Sequence, residues 1–359
     1  MKKIFVYAYT NFNLGDDLFI KILCERYPDT KFILCAPKDY RRNFDYLNNL
    51  LVIPSDSFVI KIVNYILLKS LNISIKEIIA NTCDGIVNIG GSIFMQSENW
   101  KKKIKRRKKV LKRPFFLLGC NFGPFTDENY YTEYKEIFKS YTDVCFRDRY
   151  SYELFKELKN VRYASDIIFQ LKKNKFKQEN NEIAISVIKP SFRKELKNLD
   201  RAYYDKIRDI IIYFSNCGYK INLLSFCKNE GDEEAIEEIL KILPDTYVNN
   251  VEKIFYRNNI NDILNVIGTA KYIIATRFHS MILGWVYNKP VFPIIYNKKM
   301  TNVIKDIQFK GESIDIQNIS ELTVEDLISN MSSEPFDVSY QISDAEKHFA
   351  KLDIFLETD

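Results

Sequence analysis

Residues 3–35 read KIFVYAYTNFNLGDDLFIKILCERYPDTKFILC: an apolar run, a polar loop, a helical pattern and a second apolar run. The first run, Lys3 to Tyr9, has the length of a strand and no polar alternation, as expected of a parallel strand that is buried on both faces. The helical pattern covers Asp17 to about Arg26, and residues 31–35 predict the next strand. This order predicts a strand–helix–strand unit, whose crossover implies a parallel sheet.

The same alternation recurs along the whole chain of 359 residues. Further strands are predicted at 85–89, 114–119, 143–146, 183–187, 219–225, 271–276 and 291–296. A polar stretch, 171–182, separates two such series and is the predicted linker. We therefore predict an α/β protein with two Rossmann-like domains facing a cleft, the first over 1–171 and the second over 183–335. The amphipathic tail, 336–359, is predicted to be helical, with packing back on the first domain as one expectation.

Composition limits the class of protein. The chain is 46% hydrophobic and 28% charged, which is typical of a globular protein with a core. Seven cysteines are scattered without a CxxC pair, mostly within apolar runs, which favours buried thiols in a reduced compartment. Two histidines without a ligand cluster argue against a metal site. No signal peptide or apolar stretch of about 18 residues is apparent, so a cytoplasmic chain is expected.

Charge is concentrated in one place. Residues 101–113 carry ten basic side chains and no acid, so the rest of the chain is at −4 although the whole chain is at +6. A solvated helix face or loop, an anionic membrane surface and nucleic acid are the possible explanations, and nucleic acid is the least favoured. We expect no nucleic-acid partner and allow peripheral contact of 101–113 with the inner face of a membrane.

The loop with the clearest chemistry is Thr276-Arg277-Phe278-His279-Ser280, between a predicted strand and an apolar helix. Arg277 can form two bonds to a phosphate or carboxylate, and His279 can exchange a proton near neutral pH. Ser280 can cap the following helix, whose amides favour an anion. These residues predict an anion pocket with a proton-transfer group. The alternative is structural, with His279 capping the helix and Arg277 paired with a carboxylate.

Three more loops follow predicted strands, where open α/β sheets bind ligands. After the first strand, Gly15 permits close backbone approach, and Asp16 can cap the helix or accept from a sugar hydroxyl. The remaining candidates also lie at strand ends: Asn13, Gly90, Gly91, Ser92, Asn121 and Arg147. Arg147 can supply a second cationic contact to a donor with two acidic groups, or it can pair with Asp148. The chain has no GxGxxG, GxSxG or P-loop motif.

The order of these motifs resembles the polysaccharide pyruvyl transferase family. The matching segments are 13–16, 89–93, 119–124, 147–151, Asp166, 277–280, 289–291 and 296–298. Ser92 departs from the family, which often has a third glycine at that position. The resemblance implies a GT-B-like fold, with the first domain on the acceptor side and the second on the donor side.

The resemblance also implies the reaction. It implies transfer of pyruvate from phosphoenolpyruvate to a sugar of a surface polysaccharide or its lipid-linked precursor, forming a ketal, with no cofactor besides that co-substrate. Arg277 and His279 are then donor-site and catalytic residues, with Asp16 as a candidate second proton carrier. Arg147, Ser280 and Lys298 are donor-binding candidates, and Asn13, Gly15, Gly90–Ser92 and Asn121 contact the acceptor or shape the loops. The alternatives are a GT-B glycosyltransferase with a nucleotide-sugar donor and a non-catalytic glycan-binding protein of the same fold.

Overall fold

The computed structural model describes residues 1–108, 112–173 and 179–358. Residues 109–111 of the basic stretch and 174–178 of the predicted linker lie outside the described residues. The chain divides into two compact units. The first comprises Met1–Thr10, Asp16–Gln170 and Gln341–Asp359, and the second comprises Asn11–Gly15 and Leu171–Tyr340.

The first unit is built on a seven-stranded parallel sheet in the order β3-β2-β1-β4-β5-β6-β7. Its strands are β1 Lys3–Tyr7, β2 Lys31–Ala36, β3 Leu50–Pro54, β4 Gly85–Ile89, β5 Phe115–Cys120, β6 Asp143–Phe146 and β7 Val161–Tyr163. Its helices are α1 Leu14–Arg26, α2 Phe58–Leu71, α3 Ile75–Asn81, α4 Trp100–Arg107, α5 Glu128–Lys139 and α6 Arg149–Phe155, with α14 Ser339–Ala345 and α15 Ala350–Glu357 at the end of the chain. Short 3-10 helices cover Lys38–Phe44, Ile167–Gln170 and Glu346–Phe349.

The second unit is built on a six-stranded parallel sheet in the order β10-β9-β8-β11-β12-β13. Its strands are β8 Glu182–Ser186, β9 Lys220–Ser225, β10 Val251–Phe255, β11 Tyr272–Ala275, β12 Val291–Ile295 and β13 Ile314–Asp315. Its helices are α7 Asp200–Asn216, α8 Asp232–Lys241, α9 Asp245–Val248, α10 Ile260–Thr269, α11 Phe278–Val286, α12 Lys298–Asp306 and α13 Val324–Met331. Short 3-10 helices cover Pro190–Phe192, Lys194–Leu196, Lys228–Glu230 and Ile316–Glu321.

Burial explains why the central strands could be predicted. Strands β4, β5, β6 and β11 are buried along their whole length, and β1, β8 and β12 along most of it, because helices cover both faces of each sheet. Each predicted strand is confirmed to within two residues of its ends. Six of the seven cysteines are buried, and only Cys217 is exposed.

The end of the chain is held on the first unit by buried polar contacts. The Asp344 carboxylate accepts from the amide and hydroxyl of Ser165 at 2.8 and 2.9 Å. His348 is fully buried, and its Nε2 donates to the Ser165 carbonyl at 2.8 Å. The Tyr27 hydroxyl donates to Asp353 at 2.6 Å. His348 is therefore a structural residue of the first unit.

Candidate active site

In each sheet the strand order reverses direction once, and such a point is where open α/β sheets bind ligands. The reversal lies between β1 and β4 in the first unit and between β8 and β11 in the second. Predicted site residues follow three of these four strands: 13–16 after β1, 90–92 after β4 and 277–280 after β11. The fourth strand, β8, leads to Arg193, which sequence analysis did not single out.

The loop after β11 is fixed by the end of β8. The Ser186 carbonyl accepts from the amide of Thr276 at 3.2 Å, and the Ser186 hydroxyl accepts from the amide of Arg277 at 3.1 Å. The Thr276 hydroxyl lies 2.8 Å from that of Tyr203, in the core. Arg277 occupies the N-cap position of α11. These contacts hold the N-terminus of α11, where backbone amides favour an anion, in one place.

The guanidinium of Arg277 is buried between two carboxylates. Its Nε donates to Asp232 at 2.9 Å, and its Nη2 pairs with the other oxygen of Asp232. Its Nη1 donates to Glu230 at 2.5 Å. Asp232 also accepts from the amides of Phe226 and Cys227, each at 2.9 Å. The structure therefore shows the carboxylate pairing of Arg277, whereas its role in donor binding stays a prediction.

A second arginine, Arg193, donates to the same carboxylate oxygen of Glu230 that Arg277 contacts. Nη2 of Arg193 donates to Oε2 of Glu230 at 2.7 Å, and its guanidinium lies over the Tyr296 ring at 4.4 Å. The Nη1 of Arg193 is buried and has no partner among the residues that the structure describes. Lys299 adds a cation, since its Nζ lies over the Phe278 ring at 4.6 Å.

We call Arg193, Glu230, Asp232, Arg277 and Lys299 the Arg193–Arg277 cluster. Its three cations outnumber its two carboxylates by one. Burial opposes ionisation of Glu230, but Arg277, Arg193 and Lys299 outweigh it and lower the pKa of the carboxyl to about 2. Burial raises the pKa of Asp232 against the attraction of Arg277. Burial would also lower the pKa of Arg277, but the two carboxylates raise it well above its usual value.

His279 packs against the backbone of Gly15. A Cβ on Gly15 would lie 1.6 Å from Nδ1 of His279, so only glycine leaves room for the ring. Asn13 positions this turn, because its side chain accepts from the amide of Gly15 at 3.1 Å and so caps α1. The Leu14 amide donates to the Phe226 carbonyl at 3.1 Å. The second unit thus brings together Asn13, Gly15, Arg277 and His279.

Two predicted capping roles need correction, and the donor-binding role of Lys298 stays a prediction. Ser280 does not cap α11, because Arg277 holds the N-cap position and Ser280 is already within the helix. Its hydroxyl is buried and lacks a partner among the described residues. Asp16 does not cap α1, because the helix begins at Leu14 and Asp16 lies in its first turn. Lys298 is exposed at the start of α12, and its neighbour Lys299 is the lysine that lies over Phe278.

The predicted residues of the first unit gather around Arg147. Its Nη1 donates to Asp166 at 2.8 Å and its Nη2 donates to Asn121 at 3.0 Å. The guanidinium covers Gly91, where a Cβ would lie 2.5 Å from Nη2. Asn121 also accepts from the Ser92 hydroxyl at 3.1 Å. The structure shows Asp166 as an ion-pair partner of Arg147, and it shows Asp148 as the N-cap of α6.

Asp16 belongs to the same group in the first unit. A Cβ on Gly90 would lie 3.6 Å from a carboxylate oxygen of Asp16, so this carboxylate lies beside the glycine loop after β4. Gly90 itself has a φ of +147°, a backbone conformation that glycine adopts far more readily than other residues. The structure therefore requires glycine here for its backbone, whatever the loop binds.

Sequence analysis missed the carboxylates of the Arg193–Arg277 cluster. The acidic run 230–234 predicts only a helix N-terminus, and α8 does begin at Asp232. A signal was nevertheless present, because Glu230 and Asp232 follow β9 and Arg193 follows β8. All three lie beyond the carboxyl ends of parallel strands, where the fold collects binding groups.

Comparison with known proteins identifies the family. The family model for polysaccharide pyruvyl transferase matches residues 13–298, which span both groups of site residues. The chain belongs to the polysaccharide pyruvyl transferase family. Its members are transferases that act on polysaccharides. A relative, the amylovoran biosynthesis protein AmsJ of Erwinia amylovora, is 21% identical over 291 residues, which cover 73% of this chain and 68% of AmsJ.

Solved structures agree on the fold. The UDP-GlcNAc 2-epimerase of Methanocaldococcus jannaschii matches with a TM-score of 0.58 at 12% identity, covering 100% of both chains. HepE of Anabaena, solved with UDP and glucose, matches with a TM-score of 0.58 at 11% identity, covering 99% of both chains. These proteins are similar to this pyruvyl transferase family member in architecture. The predicted GT-B-like fold with two Rossmann-like domains is confirmed.

Proposed function

We propose that this chain transfers pyruvate from phosphoenolpyruvate to a sugar of a surface polysaccharide or its lipid-linked precursor, forming a pyruvate ketal. The observation that carries the proposal is the Arg193–Arg277 cluster at the N-terminus of α11. It has a net positive charge and a buried guanidinium nitrogen, on Arg193, without a partner in the described part of the chain. The buried hydroxyl of Ser280 likewise lacks a partner there. Family membership and the relative named for amylovoran biosynthesis support a polysaccharide acceptor.

The cluster suits a small donor with two acidic groups. Phosphoenolpyruvate carries a phosphate and a carboxylate, and a guanidinium binds either of them through two parallel hydrogen bonds. Arg193 is better placed than Arg277 to do so, because Arg277 already donates to Asp232 and Glu230. We assign Arg277 the role of fixing these carboxylates, and Arg193, Lys299 and Ser280 the role of binding the donor.

The proposed reaction requires one proton to be delivered and two to be removed. Protonation of the methylene carbon of the donor gives an oxocarbenium-like centre, and a sugar hydroxyl attacks it and loses its proton. The carbon–oxygen bond to phosphate then breaks, and a second hydroxyl attacks, loses its proton and closes the ketal. One released proton balances the one placed on carbon, and the other leaves with phosphate. His279 is the candidate for one of these transfers.

Donor binding can be tested without knowing the acceptor. Phosphoenolpyruvate is expected to raise the thermal unfolding temperature of the chain, and UDP and UDP-sugars are expected to leave it unchanged. Ligand at about 100 times its dissociation constant stabilises the folded state by about 2.7 kcal/mol. Stabilisation by UDP alone would instead favour a nucleotide-sugar glycosyltransferase. Binding of polysaccharide without turnover would favour a glycan-binding protein.

Turnover is measured as phosphate release with a panel of sugar acceptors, with mass spectrometry of the product. The acceptor is expected to gain the mass of one pyruvate less one water. His279→Ala is expected to lower kcat by about 10²–10⁴-fold, the usual effect of removing one general acid–base group. Arg193→Ala is expected to raise KM for phosphoenolpyruvate, whereas Arg201→Ala, at an exposed arginine paired with Asp205, is the matched control. Equal effects of the two arginine variants would remove Arg193 from the donor site.

A further inference from the structure

Helix α2 exposes an apolar surface that no described residue of the first unit covers. None of its fourteen residues, Phe58–Leu71, is buried. Phe58 is 78% exposed, Tyr65 66% and Ile66 55%, and Val59, Ile62 and Val63 are exposed as well. A helix on the surface of a globular domain normally presents polar residues to solvent. Here the apolar side chains face outward.

The periodicity of α2 shows that this exposure is organised. At about 3.6 residues per turn, Phe58, Ile62, Tyr65 and Ile66 fall on one side of the helix. The half-buried residues Ile60, Asn64, Leu67 and Leu68 fall on the other side, toward the protein. The outward side is therefore an apolar stripe that ends at the exposed Lys69 in the last turn, and the inward side is the one that attaches the helix to its neighbours. Contiguous exposed apolar surface of this kind marks an interaction site.

Helix α2 alone is too short to cross a bilayer. Among the described residues no single helix is both long and apolar enough to cross a bilayer; α2 and α3 pass the length and composition test only as a pair, and they are bent by 85°. At a rise of about 1.5 Å per residue, α2 is about 21 Å long, against about 30 Å for the hydrocarbon core. Moreover, α3 is tied to the protein, since Glu77 and Ala80 are buried and Ser74 and Glu77 form a capping box.

Between Asp56 and Glu77, which flank α2 and the turn after it, all the charges are positive. Residues 57–76 contain Lys61, Lys69 and Lys76 and no acidic residue. Helix α4 adds a second basic surface, on which five side chains are exposed: Lys101, Lys102, Lys103, Lys105 and Arg106.

Helix α3, which follows α2, lies on the same side of the sheet as α4. Ala80 of α3 and Trp100 and Ile104 of α4 pack into one core cluster against one face of the sheet. The end of the basic stretch reaches α3, because Nε of Arg113 donates to the carbonyl of Asn81 at 3.0 Å. An apolar stripe and a basic surface on the same unit are together complementary to anionic lipid, in which apolar side chains enter the acyl region and cations meet the headgroups.

We propose that α2 lies in the surface of an anionic membrane, with Phe58, Ile62, Tyr65 and Ile66 inserted and the basic face of α4 on the headgroups. The inserted part is α2, and the basic stretch supplies long-range attraction. A monotopic attachment of this kind needs both contributions, because either one alone gives weak, reversible binding. It goes beyond the proposed transfer reaction, since membrane binding is measured without donor or acceptor.

The test is co-sedimentation of the full chain with vesicles of phosphatidylglycerol and phosphatidylcholine in equal parts. We expect the affinity to fall at least about tenfold on pure phosphatidylcholine, because the anionic headgroups that attract the basic residues are removed. We expect a fall of at least about tenfold in F58D/I66D as well, because two inserted apolar side chains are removed. The matched control is I328D/I354D, which places the same charges on exposed isoleucines of α13 and α15 and should bind within about twofold of the parent. K102A/K103A/K105A should weaken binding by roughly fivefold for each cation removed.

Circular dichroism and light scattering complete the experiment. F58D/I66D should fold as the parent does, because both side chains are exposed. The proposal is overturned by absence of vesicle binding, by equal binding of F58D/I66D and the parent, or by equal binding to neutral and anionic vesicles. A parent dimer that F58D/I66D converts to monomer, without vesicle binding, would show instead that α2 joins two copies of the chain.

Discussion

The contact between Gly15 and His279 gives the most specific prediction. In Gly15→Ala the new methyl group would lie 1.6 Å from Nδ1, 2.3 Å from Cε1 and 2.6 Å from Cγ of His279. An ordinary contact distance is about 3.4 Å, so the ring has to retreat by about 1.8 Å. A misplacement of about 1 Å in a catalytic group can cost about 10²-fold in rate. We therefore expect Gly15→Ala to lower kcat by about 10²-fold or more, up to the loss in His279→Ala.

Stability provides a second and independent measure of the same contact. Forcing a methyl group into a filled space typically costs about 1–3 kcal/mol. Alanine in place of glycine favours a helix by up to about 1 kcal/mol, and Gly15 lies in the first turn of α1. Gly15→Ala should therefore destabilise the chain by up to about 2 kcal/mol when His279 is present. In the His279→Ala background, where the ring is gone, the same change should be neutral or stabilising.

The assay is a double-mutant cycle of Gly15→Ala and His279→Ala, with urea unfolding for stability and phosphate release for activity. We expect a coupling free energy of about 1–3 kcal/mol between the two sites, because the two groups compete for one volume. Equal destabilisation by Gly15→Ala in both backgrounds would contradict the predicted coupling. A kcat of Gly15→Ala equal to that of the parent would show that His279 acts without its observed packing.

Three further predictions concern buried charge. Asp232→Asn should destabilise the chain by about 3–5 kcal/mol in urea unfolding, because it leaves Arg277 buried with one carboxylate fewer. A smaller loss of stability in Asp232→Asn than in Glu230→Gln would contradict this. The pKa of Glu230 is lowered from 4.5 to about 2, so its ionised carboxylate stabilises the folded chain above pH 4.5, and this stabilisation, up to about 3 kcal/mol, is lost as pH falls toward 2. Glu230→Gln should remove this pH dependence from the free energy of unfolding in acid. Burial lowers the pKa of His348 from 6.5 to about 3, so the unfolded chain binds the proton first as pH drops. The free energy of unfolding should therefore fall by up to about 5 kcal/mol between pH 6.5 and pH 3, and the same fall in His348→Gln would refute this.

The central strands and the loops that follow them could be predicted from the sequence. A strand with helices on both faces must be apolar along its length, and this signal survives without knowledge of its neighbours. The four strands that were not predicted, β3, β7, β10 and β13, are the four sheet edges. Strands β7 and β10 mix polar with apolar residues, as in Val251–Phe255, and β13 has two residues, so their pattern does not stand out. Strand β3, Leu50–Pro54, is apolar and was missed without such a reason.

The site loops could be predicted because parallel strands all end at one edge of their sheet, so chemistry-bearing residues after several strands converge. The partners of these residues could not, because pairing depends on distances between segments far apart in the chain. Arg277 meets Asp232 across 45 residues and Arg147 meets Asp166 rather than its neighbour Asp148. Only the tertiary structure shows that the ring of His279 fills the place of a side chain at Gly15.

The exposure of the apolar helix α2 is another feature that the sequence could not predict. Its sequence, FVIKIVNYILLKSL, has the composition of a buried helix, and local pattern cannot tell whether another layer covers it. Hydrophobic burial is a property of the assembled chain, since it depends on which surfaces meet after every local element has formed. Sequence therefore decided which elements form and where their reactive ends lie, and tertiary structure decided which charges are paired, which glycine makes room for the histidine and which apolar face stays open.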